Sequence, residues 1–317
     1  MDYEYAITLI NSTSGINISS GEFDSIRRAL LGLHQALGLE EKFDIVMEDY
    51  AELEAELLKG AALNIYFSDP SWNSKASFQE KLNRLLLHLL SSVRMYRDHS
   101  RSNFSEIFGR SSQERQDLIE SEKKECRDIF AYRALEQLRN YSQHRNLPID
   151  NIQYKYLRLD SALSTHTIEL VIDINRLEDD RDFKEILKEW KESEQEWKKS
   201  VTEIPGKNYF PLKPLIRDYI SSVSRIHRHV RESLKPKIEE WETTVEFAVA
   251  KVRESFGEDE IPLSEIARIN LEDGQHRDVI ERHFLAVDEI IKRRKRLERK
   301  NGQLHHMSLN RISITGA

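Results

Sequence analysis

The hydrophobic positions of this chain recur mainly at helical spacing. Between Ser77 and Ser100, apolar side chains return every three or four residues, at Phe78, Leu82, Leu85, Leu86, Leu89, Leu90, Val93 and Tyr96. This stripe predicts a helix with one broad buried face. After a polar break at Gly109, a second stripe predicts a helix from about Ser112. That helix should end before Pro148, because the residue preceding a proline disfavours helix.

The chain upstream of these stripes has a less uniform pattern. Residues 3–18 mix β-branched and turn-forming side chains, which predicts a short strand or an extended arm. Two helices are predicted next, over 20–37 and 40–62, with Ser20 or Asp24 as the first cap and Gly38 between them. Residues 69–73 predict a loop.

The chain downstream of Pro148 begins with a predicted β-hairpin. Residues 152–158 and 165–174 are rich in tyrosine, isoleucine and valine, and the second stretch alternates in polarity. Three further helices are predicted over 181–201, 213–256 and 276–300. Pro236 should kink or break the second of them, because proline removes a helical hydrogen bond.

These elements predict a mainly α fold with a minor α+β character: a helical bundle, a small β-hairpin and long C-terminal helices. The expected organisation is an N-terminal helical region over 1–75, a core with its hairpin over 76–180, and a long-helix region over 181–317. With 11 Gly and 7 Pro among 317 residues, and 32% charged residues, the composition is typical of long helices.

Composition also limits the chemistry. The single cysteine, Cys126, excludes a multi-cysteine zinc site and an internal disulfide. Two histidine groups, 227–229 and 305–306, are poorly spaced for chelation, because alternate helical residues diverge. We therefore expect neither a metal nor a cofactor. The acidic start at 1–5 and the lack of a long apolar run predict a cytoplasmic protein without a membrane segment.

One short run combines residues suited to RNA cleavage. Arg139 and His144 lie within Arg139-Asn140-Tyr141-Ser142-Gln143-His144 at the end of the second predicted helix. Histidine exchanges protons near neutral pH, and the arginine fork binds phosphate. Asn140 and His144 share a helix face, whereas Arg139 and His144 are rotated by about 140°. Asn140 could then orient His144, and Arg139 would act with His144 only if the helix frays or a second subunit completes the site.

At Arg139, Asn140 and His144 the chain resembles the HEPN superfamily, over about residues 77–148. The resemblance implies a helical bundle, a homodimer with facing motifs, and metal-independent endoribonuclease activity that leaves a 2′,3′-cyclic phosphate and a 5′-hydroxyl. It also implies RNA as the substrate, a role as a toxin or phage-defence effector, and an antitoxin or defence-system partner. Members paired with a nucleotidyltransferase carry tyrosine two positions after the histidine, where this chain has Asn146.

Alternatives exist for these residues. An arginine followed by a histidine at similar spacing also occurs at 28–34, 94–99 and 277–283. Cations also favour helix C-termini for electrostatic reasons alone. A non-catalytic helical RNA-binding or adaptor protein with the same fold is therefore the second interpretation.

A basic cluster near the C-terminus offers a separate RNA contact. It consists of Lys292, Arg293, Arg294, Lys295 and Arg296. It predicts either a contact with the RNA backbone or a solvated helix end whose charges compensate the helix dipole. The overall charge of -7 requires any such contact to be local.

Overall fold

A computed structural model describes residues 5–9, 15–67, 72–158, 163–178, 180–181, 183–192, 208–257, 266–270, 279–281, 287–304 and 311–313. Most of these residues are helical, with short antiparallel sheets, which confirms the predicted mainly α class. Among these ranges, no helix has the length and apolar character needed to cross a membrane.

The elements follow one another along the chain with long helices near both ends. The helices are α1 (Ser20–Phe67), α2 (Trp72–Ile107), α3 (Gln113–Asp128), α4 (Phe130–His144), α5 (Ile174–Glu178), α6 (Phe183–Glu192), α7 (Lys213–Phe256) and α8 (Val287–Lys300). The strands are β1 (Tyr5–Leu9), β2 (Gly15–Asn17), β3 (Asn151–Arg158), β4 (Leu163–Asp173), β5 (Tyr209–Pro211), β6 (Ile266–Asn270), β7 (Val279–Glu281) and β8 (Arg311–Ser313).

The chain divides into two compact units, each assembled from separated stretches. The first unit contains residues 1–42, 102–110 and 230–302, and the second contains residues 43–101, 111–229 and 303–317. The first unit has an antiparallel sheet in the order β2-β1-β6-β7. Its helical part includes Trp241, whose ring lies so close to Gly32 that a Cβ there would come within 2.5 Å of it. Glycine at position 32 is therefore a packing requirement.

The second unit contains the predicted core helix and hairpin. The α2 stripe is buried from Leu82 to Tyr96, with Leu82, Leu86 and Val93 at 0% exposure. β3 and β4 pair antiparallel, which confirms the hairpin. On the other side of β4, β5 pairs with residues 171–173 and β8 with residues 163–165. These two strands were not predicted, because three residues are too few for an alternating pattern.

The predicted helix boundary at Gly38 is wrong. α1 runs without a break from Ser20 to Phe67, and its cap is Ser19, not Ser20 or Asp24. Ser19 and Glu22 form reciprocal hydrogen bonds, the arrangement of a capping box. A glycine within a helix costs only about 1 kcal/mol relative to alanine. Burial of the neighbouring Leu37 and Leu39 is enough to offset that cost.

The single helix predicted from Ser112 is instead two helices. Ile129 has extended backbone angles, φ −112° and ψ 110°, and separates α3 from α4. Arg133 of α4 donates a hydrogen bond to the carbonyl of Cys126 at 2.7 Å and another to that of Arg127, so it satisfies the end of α3. No glycine or proline marks this break, because the cap is a side chain from the next helix.

Other predicted bounds also change. Trp72 and Asn73 belong to α2 and not to a loop, whereas residues 69–71 lie outside the described ranges. The helix predicted over 276–300 begins only at Val287, and Val279–Glu281 is strand β7. Pro236 lies within an uninterrupted α7, so the helix is not broken there.

Candidate functional site

The candidate site lies in the last two turns of α4. The helix ends at His144, and Arg145 leaves it with φ −129° and ψ −71°. The predicted end before Pro148 is therefore confirmed. Along α4, Tyr132, Leu135, Leu138 and Tyr141 are buried, so one face of the helix is fixed in the core.

The three motif side chains have different surroundings. Arg139 is half-buried, and its Nη1 donates a hydrogen bond of 3.2 Å to Oδ1 of Asn140. Its Nε is buried without a hydrogen-bond partner among the residues described. Asn140 is exposed and donates to Oε1 of Gln137 at 3.2 Å. His144 is exposed, and its ring has no hydrogen bond to any part of the chain that is described.

The helix geometry separates the motif into two groups. Because α4 remains helical through His144, Arg139 and His144 are rotated by about 140° from each other. Asn140 and His144 lie one turn apart on the exposed edge. In the single chain Asn140 contacts Arg139, and its predicted role in orienting His144 stays a prediction. The arrangement leaves the imidazole open to solvent and to any group brought from outside.

A buried ionic cluster holds α4 in place just before the motif. Glu136 accepts hydrogen bonds from Arg97 of α2 and, at 2.7 Å, from the hydroxyl of Tyr219 of α7. Arg97 also approaches Glu122 of α3 at 3.9 Å, and Glu122 pairs with Arg101. Burial raises the pKa of Tyr219 well above its ordinary value, so its hydroxyl remains a donor. Three helices therefore meet at the Glu136 carboxylate, and α3 joins the cluster through the contact of Glu122 with Arg97.

Sequence reasoning missed this cluster. Arg97 and Glu136 are 39 residues apart, and each occupies the border of an apolar stripe, where a charged residue is expected to be solvated. The only indication in the sequence was that both residues interrupt or flank runs of core residues. Their pairing depends on the tertiary structure.

The chain after His144 is clamped to α2. Asn83 accepts a hydrogen bond from the backbone nitrogen of Ile149 at 2.8 Å and donates one to its carbonyl at 3.0 Å. Gln79 donates to the carbonyls of Ile149 and Asp150 at 2.9 and 2.8 Å. These two amides fix the path from the motif to β3.

Tyr141 lies on the inner side of the motif. Its ring meets that of Phe183 edge-on, with centroids 6.0 Å apart. Burial raises the pKa of Tyr141, and the nearby negative charge of Asp150 adds to that effect. Tyr141 is thus a packing residue within electrostatic range of the start of β3.

The predicted RNA-binding cluster on α8 is mostly paired with carboxylates. Arg294 is 5% exposed and binds Glu242 at 2.9 Å as well as Glu298. The exposed members are Lys292, Arg293, Lys295 and Arg296. Lys292 contacts Glu289 at 3.7 Å, and Arg293 contacts Glu41 at 2.9 Å. Lys295 contacts Glu242 at 3.3 Å. This pairing favours a structural role for Arg294, and RNA contact by the exposed members stays a prediction.

The histidine groups do not form a metal site where they are described. His227 is 1% exposed, its Nδ1 lies 2.8 Å from the hydroxyl of Tyr96, and its ring stacks on Phe43 at 3.8 Å. His305 and His306 lie outside the described ranges. A search of the described residues finds no group of three or more His, Cys, Asp or Glu suited to hold a metal ion. Cys126 is exposed and free.

Comparison with known proteins adds no relative. No protein-family model, no curated protein and no solved structure matches this chain. The case for any function therefore depends on the residues and their geometry.

Proposed function

We propose that the protein is a metal-independent endoribonuclease of the HEPN type. The observation that carries this proposal is the exposed imidazole of His144 at the end of a helix, one turn after Asn140, with no hydrogen bond from its ring to the described residues. An imidazole without a competing partner is available to accept or donate a proton to a substrate.

The proposed reaction uses the ribose as its own nucleophile. His144 removes the proton of the 2′-hydroxyl, and the 2′-oxygen attacks the adjacent phosphorus. The bond to the 5′-oxygen breaks, and that oxygen takes a proton to leave as a 5′-hydroxyl. Arg139 neutralises the charge that develops on the non-bridging oxygens. The other product carries a 2′,3′-cyclic phosphate, so atoms and charge balance without a metal.

The helical geometry supports a homodimer as the active form. Within one chain, Arg139 and His144 are turned away from each other by about 140°. A two-fold axis beside the end of α4 would bring His144 of one subunit opposite Arg139 of the other. The imidazole that takes the 2′-proton would then return it to the leaving 5′-oxygen, so each site needs one His144 and one Arg139.

A toxin or phage-defence effector fits such an activity, because RNA cleavage without control stops growth. An antitoxin or another defence component is then the expected partner. Expression in a bacterial host should arrest growth, and His144→Ala should remove that arrest. Arrest that persists with His144→Ala would separate toxicity from the proposed chemistry.

The direct test is cleavage of mixed RNA by purified protein in excess EDTA. We expect Arg139→Ala and His144→Ala to reduce the rate by about 100-fold or more, the usual contribution of proton transfer and charge stabilisation. Mass spectrometry should identify 2′,3′-cyclic phosphate ends.

The chain supplies its own control for that test. Arg94 and His99 on α2 have the same spacing, and His99 is also exposed. Arg94 forms an ion pair with Asp98 at 2.9 Å, which is an ordinary surface contact. Arg94→Ala and His99→Ala should leave cleavage unchanged. Equal loss in both sets, or cleavage that is unaffected by His144→Ala, would contradict the proposal.

A second candidate is a non-catalytic helical RNA-binding or adaptor protein. The contact of Asn140 with Arg139, and not with His144, favours this alternative in a single chain. It predicts RNA binding without cleavage products in the same assay.

A further inference from the structure

A polar groove lies directly after the motif in the second unit. It lies between the first turns of α2 and the start of β3, with a volume of about 410 Å³. Its walls include Lys75, Asp150, Tyr154, Asp173, Arg176 and Tyr209. We refer to it as the α2–β3 groove.

The groove is joined to the motif by a short and fixed connection. Asp150 follows His144 by six residues, so the two are separated by at most about 20 Å along an extended chain. Gln79 and Asn83 hold this connection through the backbone of Ile149 and Asp150. A ligand in the groove is therefore held at a defined distance from His144.

The groove presents an aromatic face beside a cation. Tyr154 is half-buried, and the Nζ of the exposed Lys75 lies 5.9 Å from the centre of its ring. Tyr209 is 8% exposed and forms part of the wall. An unstacked base binds to such a surface by stacking on the ring, while a lysine reaches the neighbouring phosphate.

Asp150 and Asp173 in the groove differ in how many of their carboxylate oxygens already accept a hydrogen bond. Asp150 is occupied, because one oxygen pairs with Arg176 and the other accepts from the backbone nitrogen of Asp173 at 2.9 Å. Asp173 accepts from the backbone nitrogen of Asn175 at 3.0 Å through one oxygen, and no residue in the described ranges donates to the other. That oxygen can accept a hydrogen bond from a ligand at its end of the groove.

Asp173 lies too far from Tyr154 for one base to contact both side chains. In the β3–β4 register Tyr154 is opposite Ile168, and Asp173 is five residues further along β4, a separation of about 16 Å. The subsite for a base is therefore defined by Tyr154 and Lys75.

We infer that the α2–β3 groove is a subsite for one unstacked base of single-stranded RNA, close to the phosphate that His144 acts on. This inference deepens the proposed function and rests on it for the nature of the ligand. Tyr154 stacks on the base, and Lys75 contacts the adjacent phosphate.

The test measures binding apart from chemistry. Fully 2′-O-methylated oligonucleotides lack the nucleophilic hydroxyl, so fluorescence anisotropy reports their binding to the whole protein without cleavage. The probe is a uridine oligonucleotide with guanosines at its centre, and wild type should bind it.

The variants separate the two roles. Tyr154→Ala should weaken binding about tenfold, within the range found for base stacking, whereas Tyr154→Phe should stay within about twofold of wild type. Lys75→Ala should lower the slope of log affinity against log salt by about one, as expected for one phosphate contact.

The other unit offers a matched control. Phe247 is 59% exposed, and the Nζ of Lys251 lies 4.9 Å from its ring centre, an equivalent pair of cation and aromatic ring. Phe247→Ala should not change binding. A lack of binding by wild type, unchanged binding by both Tyr154→Ala and Lys75→Ala, or an equal loss in Phe247→Ala would overturn the inference.

The groove and the proposed activity can fail separately. If His144→Ala abolishes cleavage of natural RNA but the groove variants bind normally, only the groove inference is wrong. If the groove variants lose binding while wild type never cleaves, the catalytic proposal is wrong and the groove remains an RNA-binding subsite.

Discussion

The helices α4 and α8 both carry clusters of cationic or titratable residues, and they differ in how those residues are used. At the end of α4, His144 is exposed and has no hydrogen bond from its ring within the described chain. On α8, Arg294 is 5% exposed and binds two glutamates. A run of basic residues in a sequence thus does not show how much positive charge is available to bind a ligand.

The difference follows from where each cluster lies relative to the core. Arg294 belongs to the buried face of α8, with Ile290 and Leu297, so its charge must be paired. His144 follows the last buried residue of α4 by three positions and is already outside the core. Burial requires a partner, whereas exposure leaves a side chain available for chemistry.

The largest effect is expected for Arg294→Met, which tests whether the buried and paired arginine of α8 stabilises the fold. The substitution keeps the aliphatic stem but leaves Glu242 and Glu298 with less compensation, so we expect unfolding free energy to fall by about 2–3 kcal/mol. Urea denaturation followed by circular dichroism measures the change. Arg296→Met, at an exposed position of the same helix, is the control and should stay within about 0.5 kcal/mol. Similar losses in both variants would contradict a special role for Arg294.

The proposed catalytic role of the end of α4 is tested by mixing two inactive variants. If Arg139 of one subunit acts with His144 of the other, a heterodimer of Arg139→Ala and His144→Ala contains one intact site out of two. Half of the dimers in an equal mixture are heterodimers, so about one quarter of wild-type cleavage should return. Activity that stays at the level of the separate variants would exclude a shared site. His144→Ala alone should leave the melting temperature unchanged, because the ring is exposed.

The ion pair of Glu22 and Lys251 in the first unit is more exposed than that of Arg294 and should contribute less to stability. The hydrogen bond from Lys251, with those from Ser19, lowers the pKa of Glu22 from 4.5 to about 2. A carboxyl with a lower pKa in the folded state stabilises that state above its unfolded pKa, and this stabilisation is lost as pH falls from about 4.5 to 2.

Because the Glu22 side chain is 39% exposed, solvent screening limits its contribution to about 1 kcal/mol. Glu22→Gln should therefore be less stable than wild type at pH 7, and the difference should vanish near pH 2. Urea denaturation at several pH values measures it. A constant difference across that range would show that charge is not its source.

The smallest expected effect concerns the exposed cations of α8. Replacement of Lys292 and Arg296 by alanine should change the salt dependence of RNA binding by less than one unit of slope, because both side chains are solvated and Lys292 already contacts Glu289 at 3.7 Å. Anisotropy titrations at several salt concentrations measure the slope. A fall of about two units would show that both side chains contact phosphates, and would return α8 to the RNA interface.

Local patterns predicted the elements that depend on neighbours in sequence. The α2 stripe, the β3–β4 hairpin and the end of α4 before Pro148 all follow from spacing or from proline geometry. The same reasoning failed at Gly38 and Ile129. Packing keeps α1 continuous through Gly38, and Arg133 supplies the cap that ends α3.

The candidate site divides in the same way. Helical periodicity alone puts Asn140 and His144 on one edge and turns Arg139 away from His144. The α2–β3 groove was not predicted, because its residues come from positions 75 to 209 and share no motif. Only the folded chain brings Lys75 to the ring of Tyr154.

Local sequence patterns were enough to predict the helical class, the hairpin and the helix end that carries His144, since each depends on interactions within a few residues. The fold was needed to show that Arg294 is buried against Glu242, that Glu136 binds Arg97 and Tyr219, and that Lys75 lies near the ring of Tyr154. These outcomes depend on partners distant in sequence, such as the 52 residues between Glu242 and Arg294. Local periodicity indicates which face of a helix is buried, but it does not identify the groups that the face will meet.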